Sequence, residues 1–150
     1  MDIPLLYMTR DFSAELPAAD YIARFRDAER IGGYCLSCPN YGRSWGCPPF
    51  GFSIGRYLSG YATALLTATK IVPEKQGLPL SEAQRLILPE RRRLERRLLE
   101  MERQYGGLSF AYVGTCLYCP AGTCTRPEGK PCRHPEPVSY THLTLPTNRE

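Results

Sequence analysis

The stretches ATALLTATKIVP (Ala62–Pro73), SEAQRLILPERRRLERRLLEMERQY (Ser81–Tyr105) and LSFAYV (Leu108–Val113) follow one another and decide the fold. The first is rich in Thr, Leu and Ile and is closed by Pro73, which predicts a strand over Ala62–Val72. In the second, Ser81 and Gln84 stand three residues apart, where each side chain can satisfy the other's free amide in a capping box. Pro89 lacks an amide proton and is expected to kink or restart the helix. Beyond it Leu94, Leu98, Met101 and Tyr105 share one face, and Gly106-Gly107 ends the run. The third stretch predicts a second short strand. Strand, long helix, strand is the pattern of a parallel, right-handed crossover. The expected fold class is therefore α/β, a small sheet with that crossover and two cysteine-rich loops.

Working outward toward the start, Met1–Leu16 alternates too weakly to be assigned an element. Pro17 suits the first turn of a helix. Tyr21, Ile22, Phe25, Ala28 and Ile31 then recur at helical spacing, predicting one helix over Ala18–Ile31 stopped by Gly32-Gly33. Ile54–Tyr61 is expected to form a short helix.

The 150 residues are 43% hydrophobic and 23% charged, an ordinary balance for one folded domain and too apolar for a disordered chain. No apolar run approaches the roughly 20 residues that span a bilayer, and the first residues lack the basic and apolar regions of a secretory signal. A net charge of +4 permits nucleic-acid binding without arguing for it. Seven cysteines are the unusual feature. An odd number without a signal peptide points to a reducing compartment, the cytoplasm, where clustered thiols bind metal or do redox chemistry.

The cysteines fall into two groups on either side of the predicted core. Cys35, Cys38 and Cys47 lie in YCLSCPNYGRSWGCPPF (Tyr34–Phe50), whose prolines and glycines predict a loop. Cys116, Cys119, Cys124 and Cys132 lie in TCLYCPAGTC (Thr115–Cys124) and PCRHPE (Pro131–Glu136), with the spacing C-x2-C-x4-C-x7-C. Two thiolates three residues apart can grip one ion or two corners of a cluster. Four thiolates complete the shell of either zinc or an iron–sulfur cluster. Prolines directly after Cys38, Cys47 and Cys119 resemble those at ferredoxin-type ligands and favour iron–sulfur, with a [4Fe-4S] cluster as the form expected. Zinc is the alternative, including a site in which Cys35 and Cys38 join Cys116 and Cys119. The first group has only three thiolates. A fourth ligand from His134, from further chain or from a partner would close it, and an open position would make it a Lewis acid and leave an enzyme as a further alternative.

Other residues are read more plainly. The arginines of Ser81–Tyr105 are interleaved with glutamates, giving i,i+4 pairs such as Arg91/Glu95 and Arg96/Glu100 and predicting a solvated, salt-bridged face. Trp45, Tyr41 and Phe50 read as packing beside the first loop, or as walls that keep water from it. No phosphate loop, catalytic triad or acidic dyad is present.

Taken together, Cys35-Leu-Ser-Cys38-Pro through Trp45-Gly-Cys47-Pro-Pro, then Gly114-Thr-Cys116-Leu-Tyr-Cys119, then Pro131-Cys132-Arg-His-Pro-Glu136, resemble the predicted metal-binding proteins, a cysteine-rich prokaryotic family of unknown function. The resemblance covers about Ala18–Glu136. It implies metal binding by an iron–sulfur centre and a cytoplasmic bacterial or archaeal location, and it implies no established reaction. A redox partner protein fits this reading; a membrane or a nucleic acid does not. Family members continue past Pro-Cys-Arg-x-Pro-Glu where this chain departs from them.

Pro137–Glu150 resembles a peptide that recurs at the ends of metagenomic reading frames, made by translating a sequencing adapter. Residues 1–137 are accordingly expected to be a cysteine-rich metal-binding domain, C-terminally incomplete, and 138–150 a non-native tail. Deleting Val138–Glu150 is then expected to leave metal content and melting temperature unchanged, because such a peptide has no evolved contacts. A clear drop in the melting temperature would contradict that reading.

Overall fold

The computed structural model describes residues 6–109 and 116–134. In chain order its elements are β1 (Tyr7–Pro17), α1 (Ala18–Phe25), α2 (Ala28–Leu36), α3 (Ile54–Leu58), β2 (Thr63–Pro73) and α4 (Leu80–Tyr105), followed by a 3-10 turn at Arg126–Glu128. The class is mixed α/β. β1 and β2 pair antiparallel along their whole length, from Tyr7 opposite Pro73 to Pro17 opposite Thr63. They are the legs of one wide hairpin. Its connection carries α1, α2, the first cysteine group and α3, and a hydrogen bond from Ala18 N to Ala62 O (2.9 Å) closes its base.

β2 and α3 lie where the sequence predicts them, and β1 was not foreseen. The reason is the polarity of one of its faces. Tyr7, Thr9, Asp11, Ser13 and Glu15 alternate along the strand, and Tyr7 and Asp11 bond α4 through their polar atoms. A face fastened by hydrogen bonds leaves little apolar periodicity to read. The other face presents Met8, Phe12 and Val72 to solvent. Of the crossover strand expected at Leu108–Val113, Leu108 and Ser109 are not in a strand, and the other four residues, 110–113, lie outside the described residues. Among the described residues the sheet has two strands, and the partner of β2 is β1.

Local chemistry explains the other departures. The single helix expected over Ala18–Ile31 is broken at Arg26, whose backbone is extended, because Asp27 caps a new helix by accepting from Arg30 N at 3.1 Å. α2 then runs through Gly32-Gly33 rather than stopping there. A helical glycine costs about 1 kcal/mol, which weakens a helix without ending it. α4 begins at Leu80 on Pro79 with no side-chain cap, so the Ser81/Gln84 box is not formed. It passes through Pro89 without interruption. Gly106 ends it in the left-handed conformation (φ 69°), a geometry that favours glycine, with its N–H on Glu102 O.

α4 is fastened to the hairpin chiefly by charge. Arg93 makes a forked pair with Asp11, Nη1 to Oδ2 at 2.9 Å and Nη2 to Oδ1 at 2.7 Å, while its Nε reaches Glu90 Oε2 at 2.7 Å. Tyr7 donates to Glu90 (3.1 Å), and Arg93 Nη2 donates to Thr69 Oγ1 (3.1 Å), which itself donates to Asp11 (2.7 Å), so both strands are tied to the helix. Arg91 and Glu95 pair at 2.8 Å with both side chains buried, which corrects the expectation of a solvated pair. Leu86 is buried one turn earlier on the same helix. Among the described residues, Ala18 and Leu86 are the fully buried apolar side chains.

Two outcomes follow for stability. The Arg93 hydrogen bonds, then that from Thr69, hold the Asp11 carboxyl down to about 2. Its folded-state value lies below the unfolded one, so the ion pair contributes fully above about pH 4 and is lost as pH falls through about 2. Urea midpoints should therefore drop across that window, and less so for Asp11→Asn. Glu95→Ala removes the ion-pair partner of a buried guanidinium and should cost about 3 kcal/mol, against under about 0.5 kcal/mol for exposed Arg96→Ala, as read by denaturant unfolding.

Candidate metal centre

The first group begins in a helix. Cys35 occupies the last turn of α2, so the loop predicted from Tyr34 starts at Ser37. From there the chain winds through successive turns, with Cys38 N on Cys35 O (3.0 Å), Tyr41 N on Cys38 O (3.1 Å) and Cys47 N on Ser44 O (3.0 Å). Gly42, at φ 69°, lets the strand fold back so that its N–H meets Pro48 O at 2.8 Å. This return brings Cys47 near the other two thiols. Burial pushes the Cys47 thiol above its ordinary value. A hydrogen bond from Ser44 and the charge of Arg126 oppose that rise, while the neighbouring Cys38 and Cys35 add to it.

The second group is almost wholly irregular. Thr123 donates from both N (3.1 Å) and Oγ1 (2.7 Å) to Pro120 O, and buried Thr125 donates Oγ1 to Pro131 O at 2.8 Å. Lys130 N returns to Thr125 O at 3.2 Å, and Arg133 Nη1 reaches Thr123 O at 2.9 Å. These contacts fold the loop back between Cys124 and Cys132. Two sulfurs accept backbone N–H groups from two residues on: Cys116 from Tyr118 at 3.5 Å and Cys132 from His134 at 3.4 Å. Burial raises both thiols, these N–H groups lower them, and the charges acting on them come from cysteines of the same group. The four thiols are thus electrostatic neighbours.

The thiols that act on Cys47 are those of Cys38 and Cys35, and those that act on Cys116 are Cys132, Cys119 and Cys124. His134 is built into the second loop, its ring 5.9 Å from that of Tyr118. Among the described residues no group of three or more His, Cys, Asp or Glu side chains is arranged to hold a metal ion as it stands. The donor chemistry nevertheless fits a thiophilic metal: sets of three and four thiols, partly buried apart from exposed Cys38, with N–H groups already aimed at two sulfurs. A bound metal would draw the thiols of a set together.

The structure also joins the two loops through Arg126 and Trp45. Arg126, between Cys124 and Cys132, donates to the carbonyls of Ser44, Cys47 and Pro49, and its guanidinium lies 5.3 Å from the centre of the Trp45 ring. Trp45 Nε1 donates to Lys130 O at 3.2 Å. Trp45 is therefore a fastening between the loops as well as packing. Arg126 and buried Ser44 were missed. An arginine inside a thiol-rich loop was the available signal, since a cation there offsets thiolate charge.

Among the described residues no helix is long and apolar enough to cross a membrane. No curated protein and no solved structure matches the chain. Residues 23–142 match the family described as Predicted metal-binding protein (DUF2284), a span that contains all seven cysteines and both loops. The chain belongs to this family of predicted metal-binding proteins.

Proposed function

We propose that each cysteine group is a thiolate metal centre and that the group of Cys116, Cys119, Cys124 and Cys132 holds an iron–sulfur cluster, a [4Fe-4S] cluster in the first instance. The observation that carries this reading is that group's four neighbouring thiols, two of which accept backbone N–H groups. Such donors favour the thiolate over the thiol and tune a metal bound to it. An iron–sulfur cluster supplies one-electron transfer when bound.

The chain's own part is to supply the sulfurs, which give up their protons when a metal binds. The group of Cys35, Cys38 and Cys47 supplies three, with Arg126 offsetting charge at Cys47. In this reading the protein works in the cytoplasm in electron transfer or redox sensing, with a partner protein that gives or takes the electron.

Anaerobic purification followed by iron, zinc and acid-labile sulfide analysis tests the assignment. A brown protein with stoichiometric iron and sulfide is expected. A colourless protein with stoichiometric zinc would replace the redox role with that of a zinc-stabilised interaction module. Cys119→Ala is expected to lose most of the bound metal and Cys47→Ala less, because the second group alone has four thiolates close in sequence. The reverse ranking would overturn the assignment of the tighter site.

A further inference from the structure

We propose that Arg126 is a positioning residue that couples the two cysteine groups, so that metal bound by the second group raises the affinity of the first. The inference rests on the thiolate-centre reading above. Its structural basis is the direction of the contacts. Arg126 belongs to the second group's loop, two residues after Cys124 and six before Cys132. All three of its carbonyl partners, on Ser44, Cys47 and Pro49, belong to the turn that delivers Cys47.

Among the described residues the turn is otherwise held by the hydrogen bond from Gly42 N to Pro48 O (2.8 Å) and by bonds within itself. Its internal bonds run from Cys47 N to Ser44 O and from Gly46 N to Ser44 Oγ. The second loop reaches it twice more through Trp45, once under the Arg126 guanidinium and once by the indole N–H on Lys130 O. A planar guanidinium can span several carbonyls and stack on an indole at once, which a lysine ammonium cannot do.

The second loop has little regular structure of its own, one 3-10 turn and a few side-chain bonds to backbone. Metal closing on its four thiols would fix the segment from Cys124 to Cys132, and with it the position from which Arg126 grips the Cys47 turn. Coupling of this kind is reciprocal: whatever the second centre contributes to the first, the first returns to the second. Trp45, the single tryptophan of the chain, stands in the fastening and reports on it.

Anaerobic titration with Cd2+ alone tests the coupling, using sulfur-to-cadmium absorbance for occupancy and Trp45 fluorescence for the junction. First-group affinity is compared in four chains: wild type, Arg126→Gln, Cys119→Ser/Cys132→Ser, and the combination. Losing either the arginine or the second centre should weaken the first group about tenfold or more, as expected when a cation's hydrogen bonds go unmade. The combination should be no weaker than the worse of the two, because both act through one contact. Arg126→Lys should not restore the affinity.

A second measurement does not depend on the Arg126 variants folding. In Cys35→Ser/Cys38→Ser/Cys47→Ser, Cd2+ binding to the second group should still change Trp45 fluorescence. Additive losses, equal affinity in all four chains, or a silent tryptophan would overturn the coupling while leaving two thiolate centres. Absence of Cd2+ binding at both groups would overturn the thiolate-centre reading itself and the coupling with it.

Discussion

One guanidinium, that of Arg126, holds against each other two loops that lie 79 residues apart at its bond to Cys47. Ser44 O already accepts from Cys47 N, and the arginine adds a bond to it and meets the carbonyls of Cys47 and Pro49 as well. The contact therefore does two things. It satisfies polar backbone groups, and it puts the three-thiol and four-thiol groups on one local unit, although the hairpin's second strand and the long helix separate them in sequence.

The same principle extends across the fold. Among the described residues only Ala18 and Leu86 are fully buried apolar side chains, so hydrophobic burial, which has no direction, does little to fix where elements sit. Directional polar contacts take its place. Arg93 forks onto Asp11 and reaches Glu90, while Tyr7 and Thr69 bond the same two carboxylates. Forked arginine–carboxylate pairs specify orientation as well as energy, which suits a helix laid on a two-stranded sheet.

What the sequence revealed, and what it hid, follows from these forces. β2 and the body of α4 were legible because their patterns rest on local apolar spacing and on Pro73 and Gly106 as stops. β1 was hidden because its useful face is polar, and the break at Asp27 because a single capping carboxylate outweighed an otherwise helical run. The seven thiols and their grouping were read directly from spacing. The fastening of one group to the other was not, since an arginine bonding three carbonyls leaves no periodic trace. Family membership adds metal binding as an expectation for residues 23–142, and the seven thiols within that span are the ligands proposed for it.

X-ray absorption at the edge of the metal carried by the anaerobically purified full chain tests the thiolate-centre assignment most directly. The expected result is iron with an all-sulfur first shell and iron–iron scattering beyond it. A first shell dominated by nitrogen and oxygen, or a chain carrying no stoichiometric metal, would contradict the assignment.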